Sequence, residues 1–439
     1  MSFIVIPFGY PDYPRQVVES QVEEAKRLLA SLGALFLSTV FTRTDALAAR
    51  ERLQALNPEL VVAMLVSWLE APNLFDALGD WFGRPLVLWS HTTITLEGRK
   101  QTLGAFVGAG VVKQSLQDFG VPFEFCYGKP GDNSIAGRIG QAARAAAAVR
   151  RLKTSRIGLF GYPALGMYTG TLDHVQLRRQ LGPEIVHFDQ YQIIARLEEV
   201  GEEEARGLLK RLPASGIPEE QLLPAARMYA VLQRLALQHS LAALTVKCQY
   251  ELSQLYKYTP CVALSLLADE LPVSCEGDLP TLVTQLFLHY LTGGVVSYAD
   301  VHEVLEDRIL LAACGFAPFS LAREGERCLS RWGWEAFSGV LNSSPYRCGE
   351  ATIARLARDG AGFKLHCACG QAERPGDWNE VGCPPFPGLE LRVQGDTTRF
   401  ARELASNHYA LAYGDHRGAL QLLCGYLGIR FLADLSIES

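Results

Sequence analysis

The chain has 439 residues, 49% hydrophobic and 20% charged, which excludes a disordered chain and provides for roughly two to four domains with full apolar cores. Its formal net charge of −6 argues against nucleic acid as the main partner, because neutralising phosphates needs a basic surface. Small ligands remain open.

In chain order, Phe3–Phe8 reads as a buried strand, Gln16–Leu32 as an amphipathic helix and Ala34–Val40 as a strand. Helix Thr44–Leu56, strand Glu59–Leu65, helix Asn73–Trp81 and strand Pro85–Trp89 follow. Short apolar runs alternating with helical periods mean βαβ units and a parallel sheet. A first doubly wound domain is expected over 1–155, closed by the Ala-rich helix Ala136–Lys153. A second α/β pattern covers 156–292: strand Ile157–Phe160, helix Leu172–Leu181, strand Ile185–Phe188, helical stretches Ile193–Leu212 and Glu219–His239, and strand Ala242–Val246. Periodicity leaves Val262–Leu267 open between helix and strand; a strand from Val273 and helix Leu282–Leu291 complete the pattern. From Gly293 the helices shorten and Gly, Pro, Cys and Trp become frequent, so a β-rich third domain is expected over 293–439, with strands Phe363–Ala368 and Gly388–Val393 and a closing helix Gly418–Leu427.

No basic segment precedes a long apolar run near Met1, and the greasiest stretch, Leu60–Leu69, is too short for a bilayer. The expectation is a cytoplasmic protein without a membrane partner, its eleven cysteines reduced. Gly161-x-x-x-x-Gly166 follows a strand but lacks the Lys-Ser/Thr of a phosphate loop, and Gly104–Gly110 has no dinucleotide spacing. Both read as glycines for tight βα turns. His366-Cys-Ala-Cys369 with Cys383 lacks paired knuckles and reads as buried thiols on a strand; Trp332 and Trp334 read as a core aromatic pair.

Three strand ends carry acids: Lys247-Cys-Gln-Tyr-Glu251, Cys275-Glu276-Gly-Asp278 and Ser297-Tyr-Ala-Asp300-Val-His302. An apolar strand that delivers a carboxylate into a loop is how open α/β sheets build sites. Glu251 and Asp278 are far enough apart for one crossover and a return strand, so they suit neighbouring strands facing one cleft. Two carboxylates and an imidazole suit a divalent ion such as Mn²⁺ or Mg²⁺. The plainer alternative is that Asp278 caps the following helix and that Lys247 forms an ion pair with Glu251.

Cys275-Glu-Gly-Asp278, Leu291-Thr-Gly-Gly and Tyr298-Ala-Asp-Val together resemble the run around a metal carboxylate in L-fucose isomerases. The tail Ser406-Asn-His-Tyr-Ala-Leu-Ala-Tyr-Gly-Asp resembles the family's C-terminal segment with its metal-binding histidine, and Lys247-Cys-x-x-Glu251-Leu resembles the segment with the other carboxylate. Gly166-Met-Tyr168 and Ala351-Thr-Ile-Ala-Arg-Leu are weaker echoes. The resemblance implies two Rossmann-like doubly wound domains followed by a β-rich C-terminal domain. It implies Mn²⁺ (or Mg²⁺ or Co²⁺) on Glu251, Asp278 and His408, and a homo-oligomer, trimer or hexamer. The related L-arabinose isomerases ligate metal through the Glu of Glu-Gly-Asp, which keeps Glu276 as the alternative to Asp278. The implied reaction is aldose–ketose isomerisation of a sugar through an enediolate, with Glu251 or Asp278 carrying the proton. Lys247, Asp300, His302, Tyr168 and Asn407 are then expected around the sugar. The chain departs from the family in being much shorter, and in having Ala313-Cys-Gly where relatives carry His-Cys-Gly. The competing expectations are a sugar-binding or regulatory protein without turnover, and another enediolate reaction, such as carbon–carbon cleavage, at the same metal.

Overall fold

The computed structural model describes residues 2–91, 94–333, 337–376 and 386–433; Trp334 and Cys383 lie outside them. The chain folds as two compact units, Met1–Arg151 with Gln421–Leu427, and Leu152–Leu420 with Gly428–Ser439.

The first unit is built from β1 (Phe3–Phe8), α1 (Arg15–Leu29), β2 (Leu35–Phe36), α2 (Arg43–Leu56), β3 (Leu60–Leu65), α3 (Ala71–Leu78), β4 (Leu86–Ser90), the hairpin β5 (Ile94–Leu96) and β6 (Arg99–Gln101), α4 (Ala105–Asp118), β7 (Glu124–Tyr127) and α5 (Asn133–Leu152). The five long-range strands pair in parallel in the order β2-β1-β3-β4-β7. Both faces are covered, which is why β1 and β3 are buried at every residue instead of alternating. Ile4, Ile6 and Phe8 pack with α2, α3 and α4 on one side; Phe3 and Val5 pack with α1 and α5 on the other. The strand expected over Ala34–Val40 shrinks to β2, with one further bridge between Phe8 and Val40. The chain turns away there into the capping box of Thr42 and Asp45 that starts α2.

The second unit opens with β8 (Arg156–Phe160), α6 (His174–Gln180), β9 (Glu184–Phe188), α7 (Tyr191–Ile194), α8 (Glu202–Leu209), α9 (Glu219–Gln238), β10 (Ala243–Val246), α10 (Cys261–Leu267), β11 (Val273–Cys275) and α11 (Leu279–Thr292). Its sheet is also parallel, in the order β11-β10-β8-β9. Strand order reverses between β8 and β10, and the loops after β8, β10 and β11 leave the same edge, where open sheets bind ligands. Val262–Leu267 resolves as helix α10. The single helix expected over Ile193–Leu212 is broken into α7, a 3₁₀ turn and α8, because Gly201 is extended and restarts the helix.

The rest of the chain is β-rich: β12 (Ser297–Val304), β13 (Arg308–Ala312), the small hairpin β14 (Leu329–Arg331) and β15 (Val340–Asn342), β16 (Gly349–Asp359), β17 (Gly362–Glu373), β18 (Gly388–Val393), α12 (Thr397–Arg402), β19 (His408–Tyr413), α13 (Arg417–Leu427, of which Gln421–Leu427 belong to the first unit) and β20 (Arg430–Ala433). Six of these strands close a barrel in the order β16-β19-β12-β13-β18-β17, sealed by the β16–β17 hairpin; β20 adds in parallel to β17. Ala299, Ile309, Ile353, Leu389, Tyr409 and Leu411 form its apolar core. The expected strand Phe363–Ala368 is thus the first half of a longer one. His366 and Cys367 point to opposite faces of β17, and His366 Nδ1 is bonded to the Tyr409 hydroxyl at 2.6 Å, which removes it from any set with the thiols.

Candidate active site

Tyr409 and Leu411 point into the barrel core, so strand alternation turns His408 to the opposite face. Asp300 on β12 lies directly across from His408 in the antiparallel register, where side chains come closest. Tyr298, two residues along the same face, sets its ring edge-on to the imidazole at 5.2 Å. Glu276 and Asp278 reach this face from the turn after β11.

That turn is unusual. Glu276 and Gly277 both have left-handed backbone, with φ of 65° and 68°, a conformation costly for a glutamate and typical of constrained sites. The Glu276 carbonyl accepts from the Ala164 N–H at 2.8 Å, tying the turn to the loop after β8. A Cβ on Gly277 would stand 2.5 Å from the Tyr162 carbonyl oxygen. Gly277→Ala is therefore expected to cost more than about 1 kcal/mol of stability and to displace Glu276, read as a lower denaturant midpoint with turnover reduced beyond the loss of folded protein.

Asp278 is fully committed. One oxygen accepts the Thr281 N–H at 3.0 Å and so caps α11, which is why that helix starts three residues earlier than the apolar pattern implied. The other accepts from the Arg355 guanidinium at 2.7 Å and from His408 Nδ1 at 2.8 Å. Asp278 and Arg355 are each 1% exposed. Burial pushes this carboxyl up, but Arg355 and His408 outweigh it and hold it well below the usual carboxylate range.

A carboxylate can only accept, so His408 carries a proton on Nδ1 and presents Nε2 to the other side. Nε2 stands 3.1 Å from Asp300 Oδ1 and 3.6 Å from Glu276 Oε2, yet makes no well-directed hydrogen bond among the described residues. Burial disfavours a charged imidazole, but Asp300 and Asp278 reverse this and raise its pKa well above the ordinary value. Burial and the neighbouring acids Asp300 and Asp278 push the Glu276 carboxyl up, only partly offset by His408 and Gln249. Gln249 Oε1 is itself buried with no hydrogen-bond partner among the described residues. Asp300 accepts from Asn407 Nδ2 at 2.9 Å.

Glu251 stands apart from this cluster in its contacts. It opens a π-helical turn after β10, next to Tyr250 with φ of 68°. Its carboxylate accepts from Lys247 Nζ and, at 3.0 Å, from the Tyr162 hydroxyl. Burial pushes its pKa up, but these two donors bring it below the ordinary value. Lys247 is 0% exposed, and its ammonium also lies 3.8 Å from the Tyr162 ring centre and 4.8 Å from that of Tyr250. Glu251 and Asp278 thus follow the neighbouring strands β10 and β11, but no hydrogen bond or ion pair joins Glu251 to Asp278 or His408 among the described residues.

Of the remaining expected sugar contacts, His302 is exposed at a bulge of β12; burial pushes the neighbouring Asp300 carboxyl up, but His408 and Asn407 bring it below its ordinary value. Asn407 is exposed and bonded to Asp300. Tyr168 is 85% exposed and lines, with Thr169, Thr171, Arg355, Arg358 and Lys364, a cavity of about 300 Å³. The Thr169 carbonyl accepts from Arg355 at 2.7 Å. Sequence reasoning assigned no role to Arg355, Gln249 or Tyr162. For Arg355 a signal existed: an arginine inside the apolar run Ala351–Leu356, where a buried charge requires a partner.

No family model matches this chain. It is similar to a sulfoquinovose isomerase of Alkalicoccus urumqiensis, 25% identical over 431 residues, covering 94% of this chain and 95% of the relative. It is also similar to sulfoquinovose isomerases of Priestia aryabhattai and Priestia megaterium, each 22% identical over 415 residues, covering 92% of this chain and 86% of theirs. A solute-binding protein from Agrobacterium vitis, solved with alpha-D-tagatopyranose, covers 67% of this chain at 9% identity with a TM-score of 0.16, too low to carry an inference.

Proposed function

We propose that this protein is a divalent-metal-dependent aldose–ketose isomerase acting on a sugar. The observation that carries the reading is His408: its Nδ1 is fixed by a buried carboxylate, while its Nε2 faces two more carboxylates, Asp300 at 3.1 Å and Glu276 at 3.6 Å. A carboxylate that holds the tautomer and aims the other nitrogen is how a metal-binding histidine is prepared. The relatives' shared name, and their alignment over nearly the whole chain, support isomerisation of a sugar.

In this reading Glu276, Asp300 and His408 hold the ion, and Asp278 positions His408. The assignment favours Glu276 over Asp278 because both Asp278 oxygens are engaged by Thr281, Arg355 and His408. One carboxylic oxygen from each of two acids and one imidazole suit Mn²⁺, Mg²⁺ or Co²⁺. When bound, such an ion supplies Lewis-acid stabilisation of the enediolate oxygens. Glu251 moves the proton between C1 and C2. Lys247 and Tyr162 orient its carboxylate and keep it ionised, ready to accept a proton. The sugar that the relatives' name puts first is sulfoquinovose, a sulfonated aldose; the cavity beside Arg355, with Arg358 and Lys364, offers cationic surroundings for an anionic substituent. A homo-oligomer remains part of the reading, to be checked by light scattering.

The test is to strip the protein with chelator, restore Mn²⁺, Mg²⁺ or Co²⁺ in turn, and incubate it with sulfoquinovose and a panel of aldoses in D₂O. NMR should show loss of the C2 proton signal with a ketose product, only when an ion is present. Glu251→Gln should still bind the ion while exchange falls by about 10²–10⁴-fold. Sugar binding without ion and without exchange would replace this reading with a sugar sensor. Exchange without a ketose would point to another enediolate reaction.

A further inference from the structure

We propose that Cys248, Cys275 and Glu276 form a second metal site, one that takes a thiophilic divalent ion of the zinc class. Two Sγ atoms and a carboxylate oxygen lie within 4.8 Å of one another, and all three residues are buried. Two neighbouring strands bring them together: Val246 pairs with Cys275 in the β10–β11 register, and Cys248 follows two residues later. Cys314, only half-buried, brings its Sγ to 3.7 Å from Glu276 Oε1. The Cys275 Sγ is itself bonded to the Tyr298 hydroxyl at 2.5 Å.

The donor set differs in kind from the one around His408. Thiolates select softer ions, and carboxylates with an imidazole serve the harder ones. Two thiolates and one carboxylate make a three-ligand set with one position left for water or Cys314. Binding forms two metal–sulfur bonds and one metal–oxygen bond and releases two thiol protons to the buffer; no electrons move. The functional consequence rests on the reading of Glu276 as a ligand of the catalytic ion. One carboxylate is then shared between two clusters, and a thiophilic ion that takes it removes it from the His408 side. The second site is inhibitory.

Cd²⁺ is the probe, because its bonds to thiolate absorb in the ultraviolet. Chelator-stripped full-length protein, with the exposed Cys328 and Cys348 replaced by serine to remove their background, is titrated with Cd²⁺ while absorbance and proton release are followed. The expected result is a thiolate band that Cys248→Ser and Cys275→Ser each abolish and that His408→Ala leaves in place. Circular dichroism checks folding, and Cys248→Ser, carried by the segment after β10 and not by the β11 turn itself, guards against a folding failure of Cys275→Ser. A band of equal size in wild type and Cys248→Ser, or none in wild type, overturns the site whatever the protein's activity. With the band established, Cd²⁺ should lower turnover by about 10–100-fold in the presence of the catalytic ion, and Cys248→Ser should relieve it. Cadmium bound at these thiols without loss of turnover overturns the sharing of Glu276.

Discussion

Replacing His408 with alanine is expected to lower turnover by about a thousandfold or more and to weaken binding of the catalytic ion, with secondary structure retained by circular dichroism. The size follows from the several kcal/mol that a bound ion contributes to an enediolate-like transition state, at about 1.4 kcal/mol per factor of ten. The imidazole also stands against Glu276, Asp278 and Asp300 at once, with Arg355 a second cation on Asp278, so on the proposed reading its loss removes a ligand and leaves Glu276 and Asp300 without that counter-charge. Asp278→Asn separates positioning from ligation. It leaves Nε2 in place but removes the charge that fixes Nδ1, and is expected to cost only about 10–100-fold in ion affinity or turnover. Calorimetric ion titration and steady-state kinetics on both variants check the pair of values. Turnover of His408→Ala within tenfold of wild type would remove His408 from the reaction.

The second large effect belongs to stability. Arg355→Met should destabilise the protein by about 3–5 kcal/mol, because it leaves the Asp278 carboxylate buried without its main counter-charge. Arg355 also donates to the Thr281 hydroxyl and the Thr169 carbonyl, so the loss spans the start of α11 and the loop after β8. The pH dependence gives a second readout. The folded-state pKa of Asp278 is depressed, so its contribution to stability is complete above the unfolded value of about 3.9 and is lost as pH falls toward the folded value. Denaturant midpoints measured across that acid range should fall steeply for wild type. They should fall less steeply for Arg355→Met, in which the carboxyl titrates higher when folded. Equal acid slopes in the two proteins would show that Arg355 does not set the Asp278 charge.

The parallel sheets are legible in the sequence because central strands such as Phe3–Phe8 and Leu60–Leu65 are apolar and buried throughout, and because helices such as Glu219–Gln238 carry a clear period. The barrel is not. Its strands are rich in Ala, Gly and Cys, as in Gly362–Glu373, and their partners lie far along the chain, which local periodicity cannot report. The same reason governs the site. Acids at strand ends and the tail histidine stood out as residue types, but which carboxylate faces which nitrogen is decided by the β12–β19 register and by the two left-handed residues after β11. Spacing alone therefore favoured Asp278. A buried arginine more than seventy residues downstream, invisible to any local pattern, claims that carboxylate and leaves Glu276 and Asp300 facing the imidazole.

Helix α13 has a consequence for how the protein is made. Its residues Gln421–Leu427 belong to the first unit, where Leu422 and Tyr426 pack against the cluster of Val18, Ala25 and Ile139. A ribosome therefore finishes nearly the whole polypeptide before the amino-terminal core has its last apolar pieces. That core waits, incomplete, while the barrel is synthesised, contrary to the usual order in which the first domain folds first. A fragment ending after α5 inherits the same gap, and the tail helix supplied as a separate peptide is the natural means of filling it.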